Sequence, residues 1–98
     1  MPTFHVVVHR SGQEYDPSKP LEMQSDWQAH ADFMDGLVDA GFIVLGGPLK
    51  DEFRVVHVVE AESEAVVRAT LARDPWSGTH LVVDAVERWT IRLDGRRV

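Results

Sequence analysis

Ninety-eight residues, 44% of them apolar, with a formal charge of −6, describe a single globular α+β domain, 1–98. A chain this short buries only roughly 60–65% of the surface its unfolded form exposes. The charge argues against nucleic acid or an anionic membrane as partner, and the absence of cysteine excludes a disulfide framework, a thiolate nucleophile and a Cys-ligated zinc.

Phe4, Val6 and Val8 alternate with His5, Val7 and His9, which predicts a strand over Thr3–Arg10. Ser11–Gln24 has Gly12, Pro17 and Pro20 and little periodicity; it reads as a long loop of the kind that is functional or mobile. Ser25 or Asp26 is placed to cap a helix whose stripe is Trp27, His30 or Ala31, Met34, Leu37 and Val38. Gly41 offers a left-handed stop. Phe42–Leu45 is an expected strand, broken by Gly46-Gly47-Pro48, and Phe53–Glu60 is a further strand. Glu62–Arg73 reads as a helix with Val66, Ala69 and Thr70 on one side, ended by Pro75. His80–Arg92 is an expected long strand, bent near Glu87–Trp89, and 93–98 is a polar tail; Arg92, Arg96 and Arg97 form a small basic cluster at this end of the chain. No apolar run is long enough to span a membrane and the N-terminal segment is no signal peptide, so a cytoplasmic location is expected.

The order β-α-β-β-α-β is that of the ferredoxin-like plan, an antiparallel sheet with both helices on one face. The other face is then a problem, because Phe53–Val59 (FRVVHVV) and Leu81–Val86 carry valines on both sides where a wetted face should be polar. A second copy packed on that helix-free face, as a homodimer, is the simplest cover.

Candidate chemistry starts with His30, since imidazole is the side chain best matched to proton transfer near neutral pH. A structural histidine bonded to a backbone carbonyl is the simpler alternative. Asp74 closes a helix where the dipole disfavours negative charge, which invites a cation such as protonated His30 or Arg73; an ordinary turn aspartate is the alternative. Gly46-Gly47-Pro48 is not a phosphate loop, since no helix follows it, and Asp51 beyond it is a lone loop carboxylate. His5, His9, His57 and His80 are spread over three expected strands without metal-binding spacing, so no metal is expected. Tyr15, Trp27 and Trp76 are aromatics near expected loops that could line a pocket.

Four segments, in this order, carry a family resemblance: Trp27–Met34 (WQAHADFM), Val44–Leu49 (VLGGPL), Ala61–Trp76 (AESEAVVRATLARDPW) and Val86–Asp94 (VERWTIRLD). The chain resembles the YCII-related (YciI-like) family over nearly its whole length. The resemblance implies a ferredoxin-like fold assembled as a dimeric α/β barrel. It also implies an active site centred on the positions of His30 and Asp74. One branch of that family performs dehydrochlorination of a chlorinated hydroxyquinol. Similar chains often carry Gly-Pro-x-Trp after the first strand, where this chain has Gly12-Gln13-Glu14-Tyr15. The expectation is a small-molecule enzyme with no cofactor, using a His30/Asp74 acid–base pair for proton abstraction or lyase-type elimination. Arg10, Tyr15, Trp27, Gly47, Pro48 and Trp76 are the expected ligand contacts. The rival is a non-catalytic small-molecule-binding or accessory dimerisation module.

Overall fold

Phe4, Val6 and Val8 lie on one side of the first strand, β1 (Thr3–His9), and each is at most 5% exposed. In the computed structural model, which describes residues 1–96, β1 is followed by a 3-10 turn (Leu21–Met23), α1 (Trp27–Asp39), β2 (Ile43–Pro48), β3 (Arg54–Glu60), α2 (Glu64–Leu71) and β4 (Val82–Arg88). The four strands form one sheet in the order β2-β3-β1-β4, every neighbouring pair antiparallel. Register places Phe4 opposite Val59, Val6 opposite His57 and Val8 opposite Val55. Val6 also faces Val86, and a bulge between Val7 and Val8 shifts the β1–β4 pairing. Leu37 of α1 and Val67 and Leu71 of α2 join Phe4, Val6, Val8, Ile43, Val59 and Val86 in one buried cluster. Both helices thus cover the face that carries the even residues of β1. The other face holds His5, Val7, His9, Val56 and Val58, none of them fully buried. There Trp89 meets His5 edge-on, and His9 lies 3.7 Å from Asp84.

The end of α1 follows the glycine reading closely. Gly41 adopts φ 77°, Gly41 N–H donates to Val38 O and Phe42 N–H donates to Leu37 O, the paired bonds of a Schellman motif. The start does not follow the reading. Asp26 sits at the cap position with φ 58° and makes no side-chain capping bond, and Ser25 turns its hydroxyl towards His80 instead. In α2 the buried stripe is Val67 and Leu71, one residue on from the expected one, while Val66 is 43% exposed. Ser63 caps this helix through Val66 N–H, so it begins at Glu64 and not at Glu62. Gly46-Gly47-Pro48 does not break β2: these residues stay in register with His57, Val56 and Val55. Pro48 fits because β2 is an edge strand, where a missing donor costs nothing on the open side. The last strand ends at Arg88, shorter than expected, and His80 precedes it in a loop. Of the basic tail, Arg96 pairs with Asp94, and Arg97 lies outside the described residues. No helix among the described residues is long and apolar enough to cross a membrane.

The Ser11–Gln24 segment is fastened at several points. Gly12 N–H and Glu14 N–H donate to His80 O and Thr79 O at 3.0 and 2.8 Å. Gln24, only 4% exposed, closes the segment from within: its Nε2 donates to Asp16 O and Lys19 O, and its Oε1 accepts from Asp16 N–H.

Candidate active site

α2 ends at Leu71, short of the expected Arg73 and ahead of Pro75, and the turns that follow aim Asp74 inward. Asp74 Oδ1 accepts the Trp76 backbone N–H at 2.9 Å, so the side chain is tied to its own turn. Its carboxylate is 6% exposed and faces His30, one turn into α1, whose Nδ1 lies 2.9 Å from both carboxylate oxygens. An ionised carboxylate only accepts hydrogen bonds. In the neutral ring Nδ1 therefore carries the proton and Nε2 the lone pair. The partner that Asp74 finds is His30 and not Arg73. The alternative of a histidine bonded to a backbone carbonyl is not what the geometry holds.

Trp76 sets the plane of that imidazole. It is fully buried and stacks on His30 with ring centres 4.1 Å apart and planes 4° apart. It stacks on His80 as well, at 4.5 Å and 11°. Trp27 packs tilted against it at 5.8 Å, and the Trp76 Nε1–H donates to Ser25 O at 2.8 Å. His80 is buried and satisfied at both ring nitrogens, through Ser25 Oγ and Thr79 Oγ1, each at 2.9 Å. It is a structural support for the indole.

Beside His30 opens a cavity of about 380 Å³, within the range of small-molecule sites. Its walls are mostly apolar, from Val8, Ile43, Val55 and Leu81, and its polar lining includes His30, His57 and Arg10. Of the expected contacts, Arg10, Trp27, Gly47 and Trp76 line it. Two do not. Pro48 is spent on pairing with Val55 at the end of β2, and Tyr15 packs edge-on against Trp76 at 6.3 Å, outside the lining. Asp74 stands behind His30 and borders a second, far smaller void of about 20 Å³ with His57 and Ser77. Arg10, with its side chain 8% exposed, donates to Glu52 O at 2.8 Å. Asp51 serves its hairpin: it accepts the Arg54 and Phe53 N–H groups, which hold its carboxyl down at about 2.

His57 is the functional candidate that sequence reasoning passed over. It sits on β3 between Val55 and Val59, on the face the helices cover, and is 8% exposed. Burial is the main cause that pushes its pKa down to about 4, helped by the charge of His30 and opposed by that of Asp74. Its Nδ1 is buried without a hydrogen-bond partner. The signal was present in the spacing Val55-His57-Val59, whose two-residue period places a histidine in line with the core. Among the described residues, no group of three His, Cys, Asp or Glu side chains converges to hold a metal ion. No family model, curated protein or solved structure matches the chain.

Proposed function

We propose that this chain is a small-molecule enzyme of the YciI-like type, in which His30 acts as general base and then acid on a small, largely apolar substrate. One observation carries the reading: the 2.9 Å pairing of His30 Nδ1 with a buried Asp74 beside a cavity that the imidazole lines. Asp74 fixes the tautomer and would stabilise the imidazolium as it forms, the part a carboxylate plays in other histidine-centred sites. Trp76 stacking and the Asp74 contact hold the ring at one angle, so its orientation is fixed before substrate arrives. The reaction class is proton abstraction from carbon, completed as return of a proton or as departure of a leaving group from the neighbouring carbon. The strand order β2-β3-β1-β4 supports the ferredoxin-like description. Val7, Val56 and Val58 on the helix-free face support a twofold homodimer closed as an α/β barrel.

Two assays test the reading: chloride release from a chlorinated hydroxyquinol, and deuterium wash-in to the α-carbon of phenylacetone in heavy water. The expected result is that at least one proceeds in the wild type and falls by about 100-fold or more in His30→Gln, the loss typical of an absent general base. Neither reaction exceeding that variant would refute the proposal. Phenylacetone retained in the cavity without either reaction would support the non-catalytic binding module instead.

A further inference from the structure

The pairing of His30 with Asp74 leaves a second histidine of the same cavity without a task. His57 lines the cavity and its Nδ1 is buried without a hydrogen-bond partner, and a buried polar group left unpaired costs about 1–3 kcal/mol. Such a group stays in a fold when something else answers it. Which of its two nitrogens can do so follows from Gly46. A Cβ built on Gly46 would stand 2.1 Å from His57 Nδ1 and 3.0 Å from Cε1. The glycine's own hydrogen occupies that direction on a shorter bond, so it points at Nδ1 from close range. A proton on Nδ1 would collide with it, whereas a lone pair receives it as a weak C–H contact. Nδ1 is therefore bare, and in the neutral ring the proton must be on Nε2. With Nδ1 sealed under β2, Nε2–H is the only polar group His57 can offer the cavity.

The two histidines are thus complementary. His30 has its proton on Nδ1 and presents a lone pair; His57 has its proton on Nε2 and presents a donor. We propose that His57 is the electrophilic partner of His30, its Nε2–H binding the carbonyl oxygen of a substrate whose adjacent carbon gives a proton to His30 Nε2. The substrate class is then a small, apolar carbonyl compound with an acidic α-C–H, a narrowing that rests on the reading of His30 as base. In the step, the C–H bond breaks and its electron pair forms the C=C bond of an enolate. The carbonyl π pair moves onto oxygen, where the His57 hydrogen bond meets the new charge. Collapse of the enolate either recovers a proton from His30 or expels a leaving group from the β-carbon with its electron pair.

The surroundings suit that role. Donors aimed at developing charge in a water-poor site are among the strongest catalytic devices, and a neutral imidazole serves as such a donor in other proton-transfer sites. Burial, the main cause of its lowered pKa, keeps His57 uncharged near pH 7 even with Asp74 close by. Arg10 and Asp35 are the other charged groups that line the cavity. An uncharged donor does not compete with His30 for the proton in flight. Val8, Ile43, Val55 and Leu81 supply a hydrocarbon wall for the rest of the molecule.

The test begins with the wild-type protein. Long-range proton–nitrogen NMR between pH 6 and 8 should show His57 neutral with the proton on Nε2, and phenylacetone should move that Nε2 resonance. A proton on Nδ1, or an Nε2 signal indifferent to saturating phenylacetone, would overturn the proposal without any variant being made. Deuterium wash-in to phenylacetone is then compared in His57→Met and His57→Gln, which share shape but differ in the donor. Met should lose about 100-fold, and Gln, whose amide nitrogen takes the place of Nε2, should stay within about tenfold of wild type. Wash-in lost in His30→Gln but equal in His57→Met and wild type would leave His30 as base and refute His57. Chloride release from the chlorinated hydroxyquinol without wash-in would likewise spare the base and remove the carbonyl class. Wild-type wash-in no faster than that of free imidazole, with no chloride release, would remove both.

Discussion

Gly46→Ala is the substitution on which the geometry makes its sharpest demand. The added methyl would meet His57 Nδ1 at 2.1 Å, far inside any tolerated contact. The imidazole is 8% exposed on the face that the helices cover, so it can make room only by moving towards the cavity it lines. Overpacking of this kind costs about 1–3 kcal/mol, and at this chain length each kcal/mol lowers Tm by about 4–8 °C. Calorimetry should therefore show a fall of roughly 5–20 °C. The neighbouring Gly47→Ala is the control: nothing lies within 4 Å of its Cβ, so its effect should stay within about 0.5 kcal/mol. Placing Gly46→Ala on a His57→Ala background removes the obstacle, and the cycle should give a coupling of about 1 kcal/mol or more. Equal melting of the two glycine variants, or a coupling near zero, would refute the claim that the glycine exists to seal His57.

Stability should fall as pH drops from about 6.5 towards 4, because the unfolded chain protonates His57 at its ordinary 6.5 while the fold resists until about 4. The gap corresponds to about 3 kcal/mol, and urea midpoints should show a shallower decline in His57→Gln; parallel curves would contradict the burial argument. Asp74→Ala leaves Trp76 N–H and His30 Nδ1 without their acceptor and should cost about 1–3 kcal/mol for the first of these alone, measured by urea unfolding; a cost below about 0.5 kcal/mol would contradict these bonds. Sedimentation at micromolar concentration should show a dimer that Val56→Lys converts to monomer, since the substitution puts a charge at the centre of the helix-free face; a wild-type monomer would dismiss the barrel.

Strand and helix order could be read from the chain because alternation in Thr3–His9 and the apolar stripe of Trp27–Val38 are local patterns. His30 stood out as the polar interruption of that stripe, and Asp74 as an acid before a proline. What escaped depended on partners distant in sequence. Gly46 and Gly47 look like a break until His57 is known to lie beside them and to require a residue without a side chain. His57 itself is masked by valines on both faces of β3, which blur the two-residue period. Val66 and Val67 are equally apolar, so the face of α2 was settled only by the sheet beneath it. At Ser25, a capping propensity gave way to hydrogen bonds with His80 and Trp76 that no local rule contains.

The Gln24-pinned segment has a kinetic consequence. Gly12 packs so closely on the loop before β4 that a Cβ would stand 2.2 Å from Thr79 O, and the segment is bonded to that loop and to itself. Swinging it open to admit a ligand would break all these bonds together, so it is a clasp and not a door. Among the lining residues, Val38 of α1 is 54% exposed and Gly46 of the edge strand is exposed as well, which places an opening between α1 and β2. Association through that opening needs no rearrangement. For a ligand of the proposed kind, residence time would then follow from its contacts with the two histidines and not from the timing of a gate.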